Sequence, residues 1–227
     1  VSRIAAVTGL ASEAAVLRAA AERGGVELTV RPAGADPQRT SEVAAELLAQ
    51  SPDLLVSFGL AGALSGALRS GDALLPEAVI DPEGTRRPVD ARWHAAVAAA
   101  CDRPPVSGDI AGADAAVTTP QAKLALGERT GAAAVDMESH IVARAVERAG
   151  VPWLVLRAVS DPANRAVPPA LLDLVRPDGG VRWQGIPRAL LHPLALRALA
   201  RDSRTAHATL SALADALMRA PHHLRES

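Results

Sequence analysis

Two short apolar runs that end in charged groups carry most of the residues able to do chemistry in this chain. The first is Ala133-Ala134-Val135-Asp136-Met137-Glu138-Ser139-His140 and the second is Val151-Pro152-Trp153-Leu154-Val155-Leu156-Arg157-Ala158-Val159-Ser160-Asp161-Pro162. Each is short enough for a buried strand, and each delivers charge at its C-terminal end, where open α/β sheets bind their ligands. That is the layout of an active site. Arg157 is an obligate cation in an apolar strand, and unpaired burial would cost several kcal/mol, so it requires an anion, either Glu13 or a bound phosphate. Asp136 is placed to cap a helix beginning at Met137, with Glu138 as a first-turn acid, and neither role excludes a binding role. Asp161 before Pro162 would by itself be a turn residue, but it stands at the end of a strand. Gly59-Leu60-Ala61-Gly62-Ala63-Leu64-Ser65-Gly66 is a glycine-rich turn after another apolar run, able to bring backbone amides close to a phosphate or a sugar. It fits neither a dinucleotide fingerprint nor a P-loop. Glu13 follows the first strand, where a carboxylate either serves a site or interacts with the positive end of a helix.

The elements that must position these residues alternate. Strands are expected at 3–7, 26–31, 53–58, 73–80 and 113–117, and helices at 12–22, from the turn 32–37 through 50, at 90–101 and at 120–130. Ser12 is the expected N-cap of the first helix, and Pro120 opens the last of this set at its first turn. The two acid-ended strands complete the sheet, and helices follow from 168. This order predicts an α/β fold, one domain over 1–227 with a mixed sheet and helices on both faces. Lys123, the one lysine, reads as a solvated charge on its helix. Within 183–217, Leu190, Leu191, Leu194, Ala198 and Leu199 share a helical face opposite Arg197, Arg201 and Arg204, which describes an amphipathic helix. A helix docked on the sheet is the expectation, with peripheral membrane contact as the alternative.

Composition narrows the classes. The chain has 227 residues, enough for one core without staples, and its 24 Lys plus Arg against 25 Asp plus Glu give no global reason for a nucleic-acid partner. Cys101 is the single cysteine, so no internal disulfide forms and a cytoplasmic setting is expected. The six histidines show no metal-binding spacing, and His222-His223 read as a frayed tail. The first residues run straight into a strand without a charged region and cleavage site, so no signal peptide is expected. The longest uncharged stretch, 54–68, is too short to span a bilayer. Tyrosine is absent and phenylalanine occurs once, so a base would have to be held by backbone and aliphatic groups.

The Met137-Glu138 pair after one strand, with Arg157-x-x-Ser160-Asp161 ending the next, resembles the superfamily of nucleoside phosphorylases and methylthioadenosine/adenosylhomocysteine nucleosidases. Gly59 to Gly62, followed by Gly71-Asp72-Ala73-Leu74-Leu75, is similar to that superfamily's glycine-rich strand end and the strand after it. The resemblance implies that Glu138 accepts hydrogen bonds from the ribose 2′ and 3′ hydroxyls, for which a carboxylate has two suitable oxygens. It implies that Met137 packs on the sugar and base, that Asp161 beside Ser160 is the general acid at purine N7, and that Glu13 orients an attacking water. Arg157 joins Asp161 and Glu13 in the expected catalytic set. Asp114-Ala115-Ala116-Val117 resembles the segment whose main chain holds adenine, which assigns that task to Ala116 and Val117. Gly59 and Leu60 fall beneath the nucleophile, and Leu60 replaces a usual hydroxyl residue.

A closer likeness lies in 57–62, 135–140, 160–169 and the tail from Arg176-Pro177-Asp178-Gly179 to Arg204, which resemble the hopanoid-associated phosphorylases. That resemblance implies release of adenine from adenosylhopane, a nucleoside with an apolar 5′ substituent, and an apolar groove within 171–199. No cofactor or metal is expected. Inorganic phosphate is the expected co-substrate, with water the alternative, because the arginine-bearing phosphate motifs of trimeric purine phosphorylases are missing. A homodimer is the expected assembly. The rival readings are a nucleosidase for methylthioadenosine or adenosylhomocysteine, and a non-catalytic nucleoside-binding protein, which would have no use for Glu13 and Asp161 together. A dinucleotide-dependent oxidoreductase is excluded by the missing fingerprint.

Overall fold

The computed structural model describes residues 2–34, 36–167 and 193–226. Strands β1 (Arg3–Thr8), β2 (Glu27–Pro32) and β3 (Leu54–Ala63) alternate with helices α1 (Ala11–Gly24) and α2 (Pro37–Leu48). β1 runs parallel to both other strands, and its residues from Ile4 onward are all buried, as befits a strand covered on both faces. There follow β4 (Ala73–Leu74), β5 (Ala78–Ile80), β6 (Arg86–Pro88), α3 (Ala91–Ala100), β7 (Ile110–Gly112), α4 (Pro120–Thr130), β8 (Ala134–Asp136), α5 (Ser139–Ala149), β9 (Trp153–Asp161) and α6 (Pro193–Glu226).

One mixed sheet gathers these strands in the order β2-β1-β3-β8-β7-β5-β6, with β9 on β3 and β4 on β9. β3 has two partners along the same direction of sheet growth. Its Leu55 to Ala61 segment runs parallel to β9, whereas Gly62 and Ala63 pair antiparallel with β8, and the register shifts between Ala61 and Gly62. The C-terminal ends of β8 and β9 therefore converge on the end of β3. Helices α1, α3 and α6 pack together on one face and α2 with α5 on the other. α4 closes a smaller apolar cluster through Leu126 with Leu64, Ile80, Ala111 and Val135.

Several elements differ from the sequence expectation. The glycine-rich run 59–62 continues β3 rather than forming a turn. The expected strand 73–80 divides into β4, on β9, and β5, between β6 and β7. Pro76 lies in the break, where it can donate no ladder hydrogen bond. The strand expected at 113–117 is Ile110–Gly112 instead, and 113–117 is the loop at its C-terminal end. α1 begins one residue early with Leu10 as N-cap, leaving Ser12 exposed. α5 begins at Ser139, not Met137, although Asp136 still accepts a hydrogen bond from Ser139 N at 3.3 Å. His222 and His223 belong to the last turns of α6 rather than to a frayed tail.

The amphipathic segment is docked where it is described. Leu210, Leu213, Leu217 and Met218 of α6 are buried, and the helix packs on α1, α3 and β9. Arg204 is exposed. The helical start expected at 168 and most of the apolar stretch 171–199 lie outside the described residues, as do the side chains of Arg197 and Arg201. Among the described residues no helix is long and apolar enough to cross a membrane. Because Leu217 is wholly buried between helices and sheet, Leu217→Ala should cost about 2–5 kcal/mol of stability. Urea unfolding of the two proteins measures this, and a loss below about 1 kcal/mol would contradict the docked position.

Candidate active site

A cavity of about 400 Å³ opens at the convergence of β3, β8 and β9. Glu13, Asp136, Glu138 and Asp161 reach its wall, together with Met137, Ser160, Gly59, Leu60, Ala116 and Val117. Of the sequence-derived site residues only Arg157 stays outside. Among the described residues, every charged side chain on the wall is acidic.

Glu13 stands in the first turn of α1 and is buried. Its Oε2 accepts from Leu10 N at 2.8 Å, which secures the helix start, and its Oε1 accepts from Leu60 N at 3.0 Å across to β3. The helix-start and site roles are thus both available to one side chain. Burial pushes its pKa above the ordinary carboxylate value, against the opposing pull of these amides and of Arg157. A carboxyl so tuned is a better base near neutral pH. Gly59 is required by this arrangement, since a Cβ there would sit 2.8 Å from both carboxylate oxygens of Glu13.

Glu138, between β8 and α5, is raised to about 8, first by burial and then by the negative charges of Asp136 and Glu13, with Arg157 opposing. Its Oε2 lies 3.9 Å from Arg157 Nη2. A Cβ on Gly9 would meet Glu138 Oε1 at 3.1 Å and Glu13 Oε2 at 3.6 Å, so both carboxyls converge over that glycine. Two like charges in one apolar site favour a shared proton.

Arg157 is buried in β9 beneath the cavity and finds its anion in Asp136, not in Glu13 or a phosphate. Its Nε donates to Asp136 Oδ2 at 2.7 Å, and its Nη2 donates to Ser57 Oγ at 2.7 Å and Ser139 Oγ at 3.1 Å. Ser139 Oγ also donates to Asp136. Arg157 is therefore a positioning residue, which corrects the expectation that it is catalytic: it ties β9 to β3, β8 and the start of α5. Sequence reading found the arginine but missed Ser57 and Ser139, whose small hydroxyls resemble ordinary strand and helix-start residues.

Asp161 ends β9 opposite Gly62, where a Cβ would lie 3.3 Å from its Oδ2. Ser160 Oγ lies 2.6 Å from Asp161 Oδ1, and Lys123 donates to Oδ2. Lys123 is fully buried, contrary to the surface position expected from sequence. Its other donors reach Pro162 O at 3.1 Å and Arg165 O at 3.0 Å. The 113–118 loop completes the wall. Ala113 N donates to Asp136 O at 2.9 Å, Val167 N donates to Thr118 O at 2.8 Å, and His140 Nε2 lies 3.1 Å from Asp114 Oδ1.

The raised carboxyls link the site to stability. Folded Glu138 holds a proton that the unfolded chain releases, so folding stability falls as pH rises between about 4.5 and 8. Glu13 acts with the same sign. Thermal unfolding over pH 5 to 8 should show Tm decreasing with pH, and Glu138→Gln should flatten that slope. An unchanged slope would mean that Glu138 does not carry the proton.

The fold finds counterparts among known proteins. The family model described as "Phosphorylase superfamily" matches residues 25–176. No curated protein matches the chain. Among solved structures, the chain is similar to a 5′-methylthioadenosine/S-adenosylhomocysteine nucleosidase from Neisseria meningitidis in complex with methylthio-immucillin-A. The TM-score is 0.75 at 16% identity, with 96% of this chain and 99% of that one covered. The corresponding nucleosidase from Colwellia psychrerythraea, in complex with adenine, gives 0.74 at 17% identity over 96% and 94% of the two chains. Futalosine hydrolase of Helicobacter pylori gives 0.68 at 18% identity over 95% and 98%. With two thirds of its length matched by the family model and a mixed sheet of the same architecture, this chain belongs to the phosphorylase superfamily and is an enzyme of nucleosidase or nucleoside phosphorylase type.

Proposed function

We propose that the protein hydrolyses the N-glycosidic bond of an adenine nucleoside, with Glu13 activating water, Glu138 holding the ribose diol and Asp161 supporting the departing base. The observation that carries this reading is the charge of the wall. Arg157 and Lys123 pair closely with Asp136 and Asp161 from beneath, and Glu13 and Glu138 face the ligand with no cation beside them on the described wall, the nearest approach being that of the buried Arg157 Nη2, 3.9 Å from Glu138 Oε2. A phosphate anion entering that space would meet carboxyls. A ribose that gains positive charge as its C1′–N9 bond lengthens would be stabilised by them, and such preorganised electrostatics form the largest catalytic contribution in many enzymes.

In this reaction the glycosidic electron pair passes into the purine, which is protonated at N7 through Asp161. Water adds to C1′ while Glu13 takes its proton. Met137 packs against the sugar, and the main chain of Ala116 and Val117 faces the base, leaving specificity to backbone and aliphatic groups. The substrate that the sequence resemblance favours is adenosylhopane, an adenine nucleoside with an apolar 5′ substituent. The methylthioadenosine and adenosylhomocysteine nucleosidases among the structural neighbours support the adenine nucleoside class.

The test is adenine release with and without inorganic phosphate, followed for adenosine, methylthioadenosine and adenosylhopane. Equal rates in both buffers, free sugar as product, and the highest kcat/KM for adenosylhopane are expected. Asp161→Asn and Glu13→Gln should each lose about a hundredfold or more in kcat. A sugar 1-phosphate formed only with phosphate present would make the protein a phosphorylase. A preference for methylthioadenosine would replace the hopanoid substrate.

A further inference from the structure

We propose that Lys123 is a positioning residue and the proton source for Asp161, an inference that rests on the nucleosidase reading above. Its surroundings do not suit a lysine that merely fills space. The ammonium is fully buried in the first turn of α4, whose positive end works against a cation, and its three donors are taken by Asp161, Pro162 O and Arg165 O. The two carbonyls fix the nitrogen behind the carboxylate, while Ser160 holds the other oxygen. Asp161 is thereby aimed at the cavity with a proton donor directly behind it.

A carboxylate and purine N7 both accept hydrogen bonds, so Asp161 can support the base only if a proton is available between them. Lys123 provides one without requiring Asp161 to take it from solution beforehand. The C1′–N9 electron pair enters the purine, N7 takes a proton from Asp161, and Asp161 takes one from Lys123, whose nitrogen keeps the N–H electron pair. Adenine leaves neutral. The attacking water supplies oxygen to C1′ and gives one proton to Glu13, which passes to solvent, while neutral Lys123 regains a proton from solvent through Asp161 once the base has gone. Bonds and protons balance as substrate plus water giving adenine plus the free sugar.

Among the described residues the charged groups around Lys123 are few. Asp161 faces it from the end of β9, and Arg165, whose carbonyl it binds, forms its own ion pair with Asp202 of α6. Glu13 and Glu138 share the cavity with Asp161 and titrate in wild type and variant alike, so the informative quantity is the ratio of variant to wild-type activity.

Lys123→Met and Lys123→Arg provide the test, with kcat and KM for adenine release measured from pH 5 to 9. Without Lys123 the carboxyl must take its proton from solution. The Lys123→Met to wild-type kcat ratio should therefore be about 0.01 or lower at pH 8 and rise at least tenfold by pH 5, with KM changed by less than about threefold. Lys123→Arg keeps the charge and the carbonyl contacts but gives up no proton, and should be at least tenfold slower than wild type at pH 8. This second variant decides the matter if Lys123→Met fails to fold. A Lys123→Met ratio independent of pH, or wild-type kcat for Lys123→Arg at pH 8, would overturn the inference alone. Absence of adenine release by the wild-type protein would overturn the nucleosidase reading, and this inference with it.

Discussion

The pairing of Arg157 with Asp136 is the interaction on which the site depends. A guanidinium in the middle of an apolar strand is tolerable only when its donors are satisfied, and here Asp136, Ser57 and Ser139 satisfy them from three different elements. Losing one partner of such a buried pair typically costs 3–5 kcal/mol, because the other charge is stranded. The requirement fixes more than stability. It sets β9 against β3 and the end of β8, holds the residue at which α5 begins, and places Glu138, two residues beyond β8, with its carboxyl 3.9 Å from the same guanidinium.

Absent side chains matter as much as those present. Gly59 and Gly62 lie in register with Arg157 and Asp161, and each yields the space that a neighbouring carboxylate occupies. Gly9 does the same beneath Glu13 and Glu138. The glycines of β3 thus serve close approach within a continuous strand rather than a phosphate-cradling turn. Glycine normally weakens a strand, and Gly59 and Gly62 bear that weakness so that the carboxyls of Glu13 and Asp161 can sit against backbone.

Much of this was legible in the sequence. The apolar runs ending in Asp136-Met137-Glu138 and in Ser160-Asp161 are strands with their acids at one end of the sheet, because burial on both faces demands such composition and the ends must carry function. Glu13, Glu138, Met137, Ala116 and Val117 all reach one cavity. The partner of Arg157 was not legible, because ion pairing across strands depends on sheet order, which periodicity does not encode. Lys123 was missed for a different reason. Its neighbour Leu124 is 59% exposed while Lys123 is fully buried, an inversion of the usual amphipathic rule. Lys123 does share its helical face with Leu126, three residues on, so the helical period contained the signal and residue type obscured it. Pro76 was likewise a readable interruption of the run 73–80.

Two internal cations, held by Asp136 and Asp161, keep positive charge off the described ligand-facing wall, where Glu13 and Glu138 stand as carboxyls whose readiness to lose a proton is set by burial. That division has a catalytic consequence. At about 4 Å, two unit charges interact by about 4 kcal/mol at an effective dielectric near 20, so a carboxylate beside a sugar that becomes cationic can lower the barrier by an amount comparable with several orders of magnitude in rate. The same field opposes an anionic nucleophile and favours neutral water. Were Arg157 or Lys123 to project into the cavity instead of lying beneath it, the preference would reverse: the cations would bind phosphate and oppose the charge growing on the ribose. Both cations lie on the protein side of the acids, which is the arrangement that the proposed hydrolytic reaction requires.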